Sequence, residues 1–197
     1  AEAFGALTQA VVLGEPGQGK TTTLLKMASN LMPAAAADAN APLPLFARLG
    51  VWTEAEESLA RILSRQLDIG ASAFDALIDQ GKLVLLLDGL NEIPTEQRER
   101  KATEIRKLLD SHPSVRILVS CRLLDYRDPL SFDRDILTIQ PLDAGRILKF
   151  LTAYLTHSAP SKIEDAPDRA ELGHARAHDL FWKIAGGPEV KAVFETW

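Results

Sequence analysis

Apolar residues fall along this chain in two patterns. In some stretches they form short unbroken runs, and in others they recur every three or four positions. Runs of the first kind lie within Gln9–Leu13, Pro44–Leu49, Leu83–Leu87, Arg116–Arg122 and Asp135–Ile139. An unbroken apolar run suits a parallel strand buried on both faces. Helical spacing fills the gaps. Leu24, Leu25, Ala28 and Leu31 share one face of a helix that runs to about Leu31, and Pro33 then breaks it. Ala34 to Ala41 is alanine-rich and reads as a loop, with a short extra helix as the alternative. Thr53-Glu54-Ala55-Glu56 reads as a capping box that opens a helix with Leu59, Ile62, Leu63 and Leu67 inward. A short helix over about Ser72 to Gln80 follows. Another, over about Thr95 to Ser111, turns Ala102, Ile105, Leu108 and Leu109 inward. Alternating strands and helices predict an α/β fold of three layers, with a parallel five-stranded sheet between helices.

The pattern changes at Pro141-Leu142-Asp143. Residues 1–142 form the predicted α/β core, and residues 143–197 read as helical. The first of these helices carries Ile147, Leu148, Leu151, Tyr154 and Leu155 as a stripe. Ser158 to Pro167 reads as a linker, and Asp168 as the cap of a helix running towards Ile184. The chain starts almost on its first strand and ends soon after Gly186-Gly187-Pro188, so it reads as a piece of something longer.

Between the first run and its helix lies Gly14-Glu15-Pro16-Gly17-Gln18-Gly19-Lys20-Thr21, which fits the phosphate-loop pattern G-x-x-x-x-G-K-[ST]. Glycines let the backbone curl so that N–H groups face phosphate oxygens, and the helix N-terminus adds its positive dipole end. Lys20 would reach the β- and γ-phosphates, and the Thr21 hydroxyl would ligate Mg²⁺. Thr22 completes the nucleotide-binding candidates of this loop.

The Leu83–Leu87 run ends in Asp88-Gly89-Leu90-Asn91-Glu92. An acid at the C-terminal end of a parallel strand sits where open α/β sheets bind ligands, so Asp88 is the second candidate for Mg²⁺. Glu92 is a candidate general base for an attacking water. The plainer alternatives are a turn former at Asp88 and a solvated loop charge at Glu92.

Taken together, Gly14–Thr21 and Leu85-Leu86-Leu87-Asp88-Gly89-Leu90-Asn91-Glu92-Ile93 resemble the NACHT branch of the STAND P-loop NTPases. Asn91 stands where many members have the first acid of a pair, and Glu92 matches the second. The resemblance implies a P-loop NTPase core followed by the start of a helical subdomain. It implies a sensor arginine at Arg122, which would stabilise charge on the transferring phosphoryl group. It also implies that Pro188, in Gly186-Gly187-Pro188, packs on the base. Further, it implies ATP and ADP with Mg²⁺ as ligands, slow hydrolysis, and a switch that self-associates on activation. Such members join an N-terminal effector and a C-terminal sensor, act in the cytoplasm, and serve innate immunity or antiviral defence. The residues do not separate ATP from GTP; the family points to ATP.

Composition narrows the classes. The 197 residues, 46% of them hydrophobic, suffice for one core plus a small subdomain. A net charge of −5 argues against a general nucleic-acid binder. Basic Arg98, Arg100, Lys101, Arg106 and Lys107 alternate with Glu96, Glu99 and Glu104, the pattern of a solvated helix face. No apolar run is long enough to span a bilayer. The lone cysteine, Cys121, forms no internal disulfide and sits in an apolar strand, so it reads as packed rather than reactive. His174 and His178 have a metal-pair spacing but no third ligand in sequence, and read as a solvated face. Trp182 and Trp197 read as packing or interface residues. Three functions compete: a hydrolysing nucleotide switch, an assembly module that holds nucleotide without turnover, and a P-loop motor or kinase.

Overall fold

The computed structural model describes residues 8–54, 56–127, 130–157 and 166–185. The chain forms two compact units, Ala1–Gln140 and Pro141–Trp197. The first is built from β1 (Gln9–Gly14), α1 (Lys20–Ala37), β2 (Leu43–Arg48), α2 (Leu59–Gln66), α3 (Ala71–Asp79), β3 (Leu83–Asp88), α4 (Arg98–Ser111), β4 (Arg116–Arg122) and β5 (Asp135–Thr138). The second contains α5 (Ala144–His157) and α6 (Ala166–Ala185).

The five strands form one sheet in the order β2-β3-β4-β1-β5, and every pairing is parallel. Strand alternation splits the core in two. Val11, Leu13, Leu45, Leu85, Leu87, Ile117 and Val119 face one side, where Leu59 and Leu63 of α2, Phe74 and Ile78 of α3, and Ala102, Ile105 and Leu109 of α4 cover them. Ala10, Val12, Val84, Leu86 and Leu118 face the other side and meet Leu24, Met27, Ala28 and Leu31 of α1. Both faces are covered, so the inner strands are largely apolar, as the sequence runs predict. The three-layer α/β architecture stands.

Several local expectations need correction. Helix α1 does not stop at Pro33; it continues to Ala37, and the Asp38 N–H closes it on the Ala34 carbonyl. Proline removes one bond, to Ser29, and the four alanines that follow are the strongest helix formers. Leu25 is not on the inward face of α1; it is 45% exposed. Thr53-Glu54-Ala55-Glu56 opens no helix. Ser58 is the N-cap of α2, its hydroxyl accepting the Arg61 N–H at 3.2 Å, while the Thr53 N–H turns back to the Val51 carbonyl.

Lys101 departs furthest from expectation. It is fully buried, not solvated. Its ammonium donates to the Trp52 carbonyl and lies 4.7 Å from the centre of the Trp52 ring. Burial, then the neighbouring Arg100 charge, lowers its pKa from the usual lysine value. Position 101 precedes Ile105 and Leu109 by one and two helical turns, so it shares their inward stripe.

In the second unit, α5 opens on Asp143, whose carboxylate accepts the Arg146 N–H at 2.8 Å. Tyr154 belongs to the exposed side of α5 rather than an inward stripe, stacked on Phe150 with ring centres 6.1 Å apart. Helix α6 starts two residues before Asp168, so that residue is not its cap. Among its described residues, Gly173, Ala177 and Phe181 are buried. His174 and His178 lie on its exposed side, and the described residues hold no group of three or more His, Cys, Asp or Glu side chains placed for a metal ion. No helix among the described residues is long and apolar enough to cross a membrane.

Candidate nucleotide site

Parallel pairing brings three strand ends to one edge of the sheet. Register sets Gly14, the last residue of β1, opposite Arg122, the last of β4. Asp88 ends β3 on the far side of β4. This is the carboxyl edge, where open α/β sheets bind ligands.

Beyond Gly14 the chain turns through the glycine loop into α1. Gly17 and Gly19 have left-handed φ values of 82° and 84° and open space where a Cβ would point. The Lys20 ammonium folds back on the loop, donating to the Gly14 carbonyl at 2.7 Å and the Glu15 carbonyl at 2.9 Å. The Gln18 side chain ties the loop from within by accepting the Glu15 N–H at 2.7 Å. Burial first, and then the Arg122 guanidinium, lower the Lys20 pKa from the ordinary lysine value. An anion beside this ammonium offsets both effects.

Asp88 is 5% exposed and both of its oxygens have partners. Oδ2 accepts the Thr21 hydroxyl at 2.8 Å, and Oδ1 accepts the Ser120 hydroxyl at 2.6 Å. Ser120 Oγ in turn accepts the Gly89 N–H at 2.8 Å. Thr21 and Asp88 thus offer two hard oxygen donors side by side, which fits Mg²⁺.

After Asp88 the chain makes a tight turn over Leu90–Glu92. Gly89 holds φ 83° there, and a Cβ on it would come within 2.7 Å of Glu92 Cδ. From the turn after β2, Gly50 approaches the same side chain; its Cβ would lie 2.9 Å from Glu92 Oε2. Glu92 therefore lies across two glycines, with an exposed carboxylate. Asn91 is 9% exposed. Its Oδ1 accepts the Arg122 N–H at 3.1 Å, and its carbonyl accepts Arg98 Nη2 at 2.9 Å.

Of the sequence candidates, Pro16, Gly17, Gly19, Lys20, Thr21, Thr22, Asp88, Glu92 and Arg122 line one cavity of about 320 Å³. Gly14, Glu15 and Gln18 form the base of the loop. Pro188 lies outside the described residues, as do the Trp182 side chain and Trp197. Ser120 and Gly50 escaped the sequence reading. A lone hydroxyl inside the apolar Val119-Ser120-Cys121 run was the signal for the first; nothing local marks the second. Cys121 is fully buried, and burial pushes its thiol up to about 11, so it is a packed residue.

No curated protein matches the chain. Solved structures do. Structure of C. elegans PCH-2 is similar at 16% identity and TM-score 0.52, over 80% of this chain and 42% of that one. A chain of the E. coli MS115-1 HORMA:CdnC:Trip13 complex is similar at 18% identity and TM-score 0.52, over 85% and 58%. The Walker-type ATPase PABY2304 of Pyrococcus abyssi aligns at 15% identity and TM-score 0.49, over 99% and 72%. Identities this low speak to the fold alone, and this chain spans about half the length of the first two structures. The NACHT domain matches residues 8–158, a span that takes in the glycine loop, Asp88, Arg122 and all five strands. This chain therefore belongs to the NACHT family, a STAND-class P-loop NTPase domain.

Proposed function

We propose that the chain is a nucleotide-controlled switch that binds a nucleoside triphosphate with Mg²⁺, ATP above GTP, and hydrolyses it slowly. The observation that carries this reading is the 2.8 Å contact of Thr21 with Asp88, in one cavity with Lys20 and Arg122. The loop amides and Lys20 bind the β- and γ-phosphates. Thr21 and Asp88 would hold Mg²⁺, which when bound neutralises phosphate charge. Glu92 accepts a proton from the attacking water. Arg122 stabilises charge gathering on the transferring phosphoryl group. Self-association on activation, outlying effector and sensor domains, cytoplasmic location and a role in immunity or antiviral defence belong to the same reading and rest on the family resemblance.

Thermal-shift titration with ATP, ADP, GTP and GDP, each with and without Mg²⁺, tests it. A ligand that binds only the folded form raises its apparent stability. A Mg²⁺-sensitive shift with adenine nucleotides supports the reading, and no shift with any nucleotide overturns it.

A second reading has the chain hold nucleotide as a structural ligand without turnover. Asn91, uncharged at the position of an acid, favours it. Glu92→Gln separates the two. Phosphate release stops if the site hydrolyses, and nothing changes if it does not.

A further inference from the structure

The side-chain oxygen of Asn91 is already committed. Oδ1 accepts the Arg122 N–H at 3.1 Å. The residue cannot swing away easily, because Arg98 holds its carbonyl at 2.9 Å. Its Nδ2 has no hydrogen-bond partner among the described residues, and the residue, 9% exposed, lines the cavity with Lys20, Thr21, Ser120 and Arg122. Because Nδ2 is not among the buried unpartnered atoms, it is open to the cavity and free to donate there. The oxygen of the amide therefore serves the fold, and its two N–H donors face the cavity.

We propose that Asn91 recognises the terminal phosphate of a bound nucleoside triphosphate, donating from Nδ2 to a phosphate oxygen, and so separates triphosphate from diphosphate. This rests on the nucleotide-binding reading of the same site. A phosphate oxygen only accepts, so a donor there is complementary and a carboxylate is repelled. Asn91 is tethered to the backbone of Arg122, the cation proposed for the transferring phosphoryl group, so both groups serve the same region of the cavity. Without Asn91 the cavity carries Lys20 and Arg122 against Asp88 and Glu92, a balance of two against two. An acid at position 91 would tip it against an anion. Asparagine adds a donor and leaves the balance intact.

The test is the ratio of ATP to ADP affinity by calorimetry, in EDTA and in Mg²⁺, for the parent chain, Asn91→Asp and Asn91→Ala. Asn91→Asp keeps an oxygen for the Arg122 N–H but replaces the donor with a negative charge. The expected result in EDTA is a fall in the ATP-to-ADP ratio of about tenfold to a hundredfold, the range of a hydrogen bond to a charged group, with ADP affinity little changed. Asn91→Ala loses the donor and the acceptor of the Arg122 N–H without adding charge, and lowers the ratio less. An unchanged ratio in Asn91→Asp, or equal weakening of both nucleotides, overturns this inference and leaves the switch intact. A parent chain that binds neither nucleotide overturns the switch reading and this inference together.

Discussion

Thr21 Oγ1 lies 2.8 Å from Asp88 Oδ2, although 67 residues separate the two. The first residue pair of α1 and the last residue of β3 thereby close one side of the cavity. If these oxygens hold Mg²⁺, then Thr21→Val and Asp88→Asn each remove the Mg²⁺ dependence of nucleotide affinity and leave metal-free affinity nearly unchanged. Lys20→Ala weakens binding with or without the metal. Calorimetry in Mg²⁺ and in EDTA checks all three. Persistent Mg²⁺ sensitivity in both oxygen variants would show that the metal lies elsewhere.

Ser120 supports Asp88 from below, and its loss is expected to reach stability as well as the site. Ser120→Ala leaves Asp88 Oδ1 and the Gly89 N–H unpaired in a buried place. The expected destabilisation is about 1–3 kcal/mol. Urea denaturation measures it, and a midpoint equal to the parent's would mean that water replaces the hydroxyl.

Gly50→Ala tests whether Glu92 needs its present position. A Cβ there meets Glu92 Oε2 at 2.9 Å and Glu92 Cβ at 3.2 Å, so the side chain must move. Gly50 itself lies outside the cavity lining. Turnover is expected to fall by up to about a hundredfold with nucleotide affinity retained, since small misplacements of a reacting group are that damaging. Single-turnover kinetics beside a binding isotherm separates the two effects.

The buried Lys101 is expected to behave as a core residue. Lys101→Ala removes its stem from the Trp52 ring and its donor from the Trp52 carbonyl, at about 2–5 kcal/mol. Lys101→Met keeps the stem and gives the smaller loss. Denaturation curves read both, and a surface role would leave the two variants alike.

Cys121 gives a pH signature. Its thiol is raised from 9.0 to about 11 in the folded chain. The folded state therefore holds more protons than the unfolded state between those values, and stability contributed by the thiol is lost as pH rises through that window. Lys20 and Lys101 shift downward and act with the opposite sign as pH climbs towards 10.5. Denaturation of the parent and Cys121→Ala at pH 8 and pH 10.5 isolates the thiol. The parent should lose more stability than the variant across that step.

The legible parts of the chain are those written in consecutive residues. The glycine loop and the Leu83–Asp88 run declare themselves because a phosphate cradle and a doubly buried strand each need a local pattern. What escaped depends on distant partners. Ser120 looks like any small polar residue until β4 pairs beside β3. Gly50 matters only because the turn over Leu90–Glu92 returns to it. Lys101 was lost in an alternation of charges, though its helical phase with Ile105 and Leu109 pointed inward. Thr53 to Glu56 had the letters of a cap, yet Ser58, nearer the apolar stripe of α2, caps the helix.

The Ser120–Asp88 pair has a second consequence, for folding. Strands β3 and β4 are apolar on both faces, so a slipped pairing would bury nearly as much surface as the native one. Register then needs a marker. Leu87 pairs with Val119, which brings Ser120 level with Asp88. A shift of two residues would bring Leu118 or Arg122 to that carboxylate instead. One choice strands a buried charge, and the other drags the arginine off the cavity edge. The residue proposed for Mg²⁺ would then also mark the register of the sheet, and an acid-to-apolar change at position 88 is expected to yield misfolded chain as well as inactive chain.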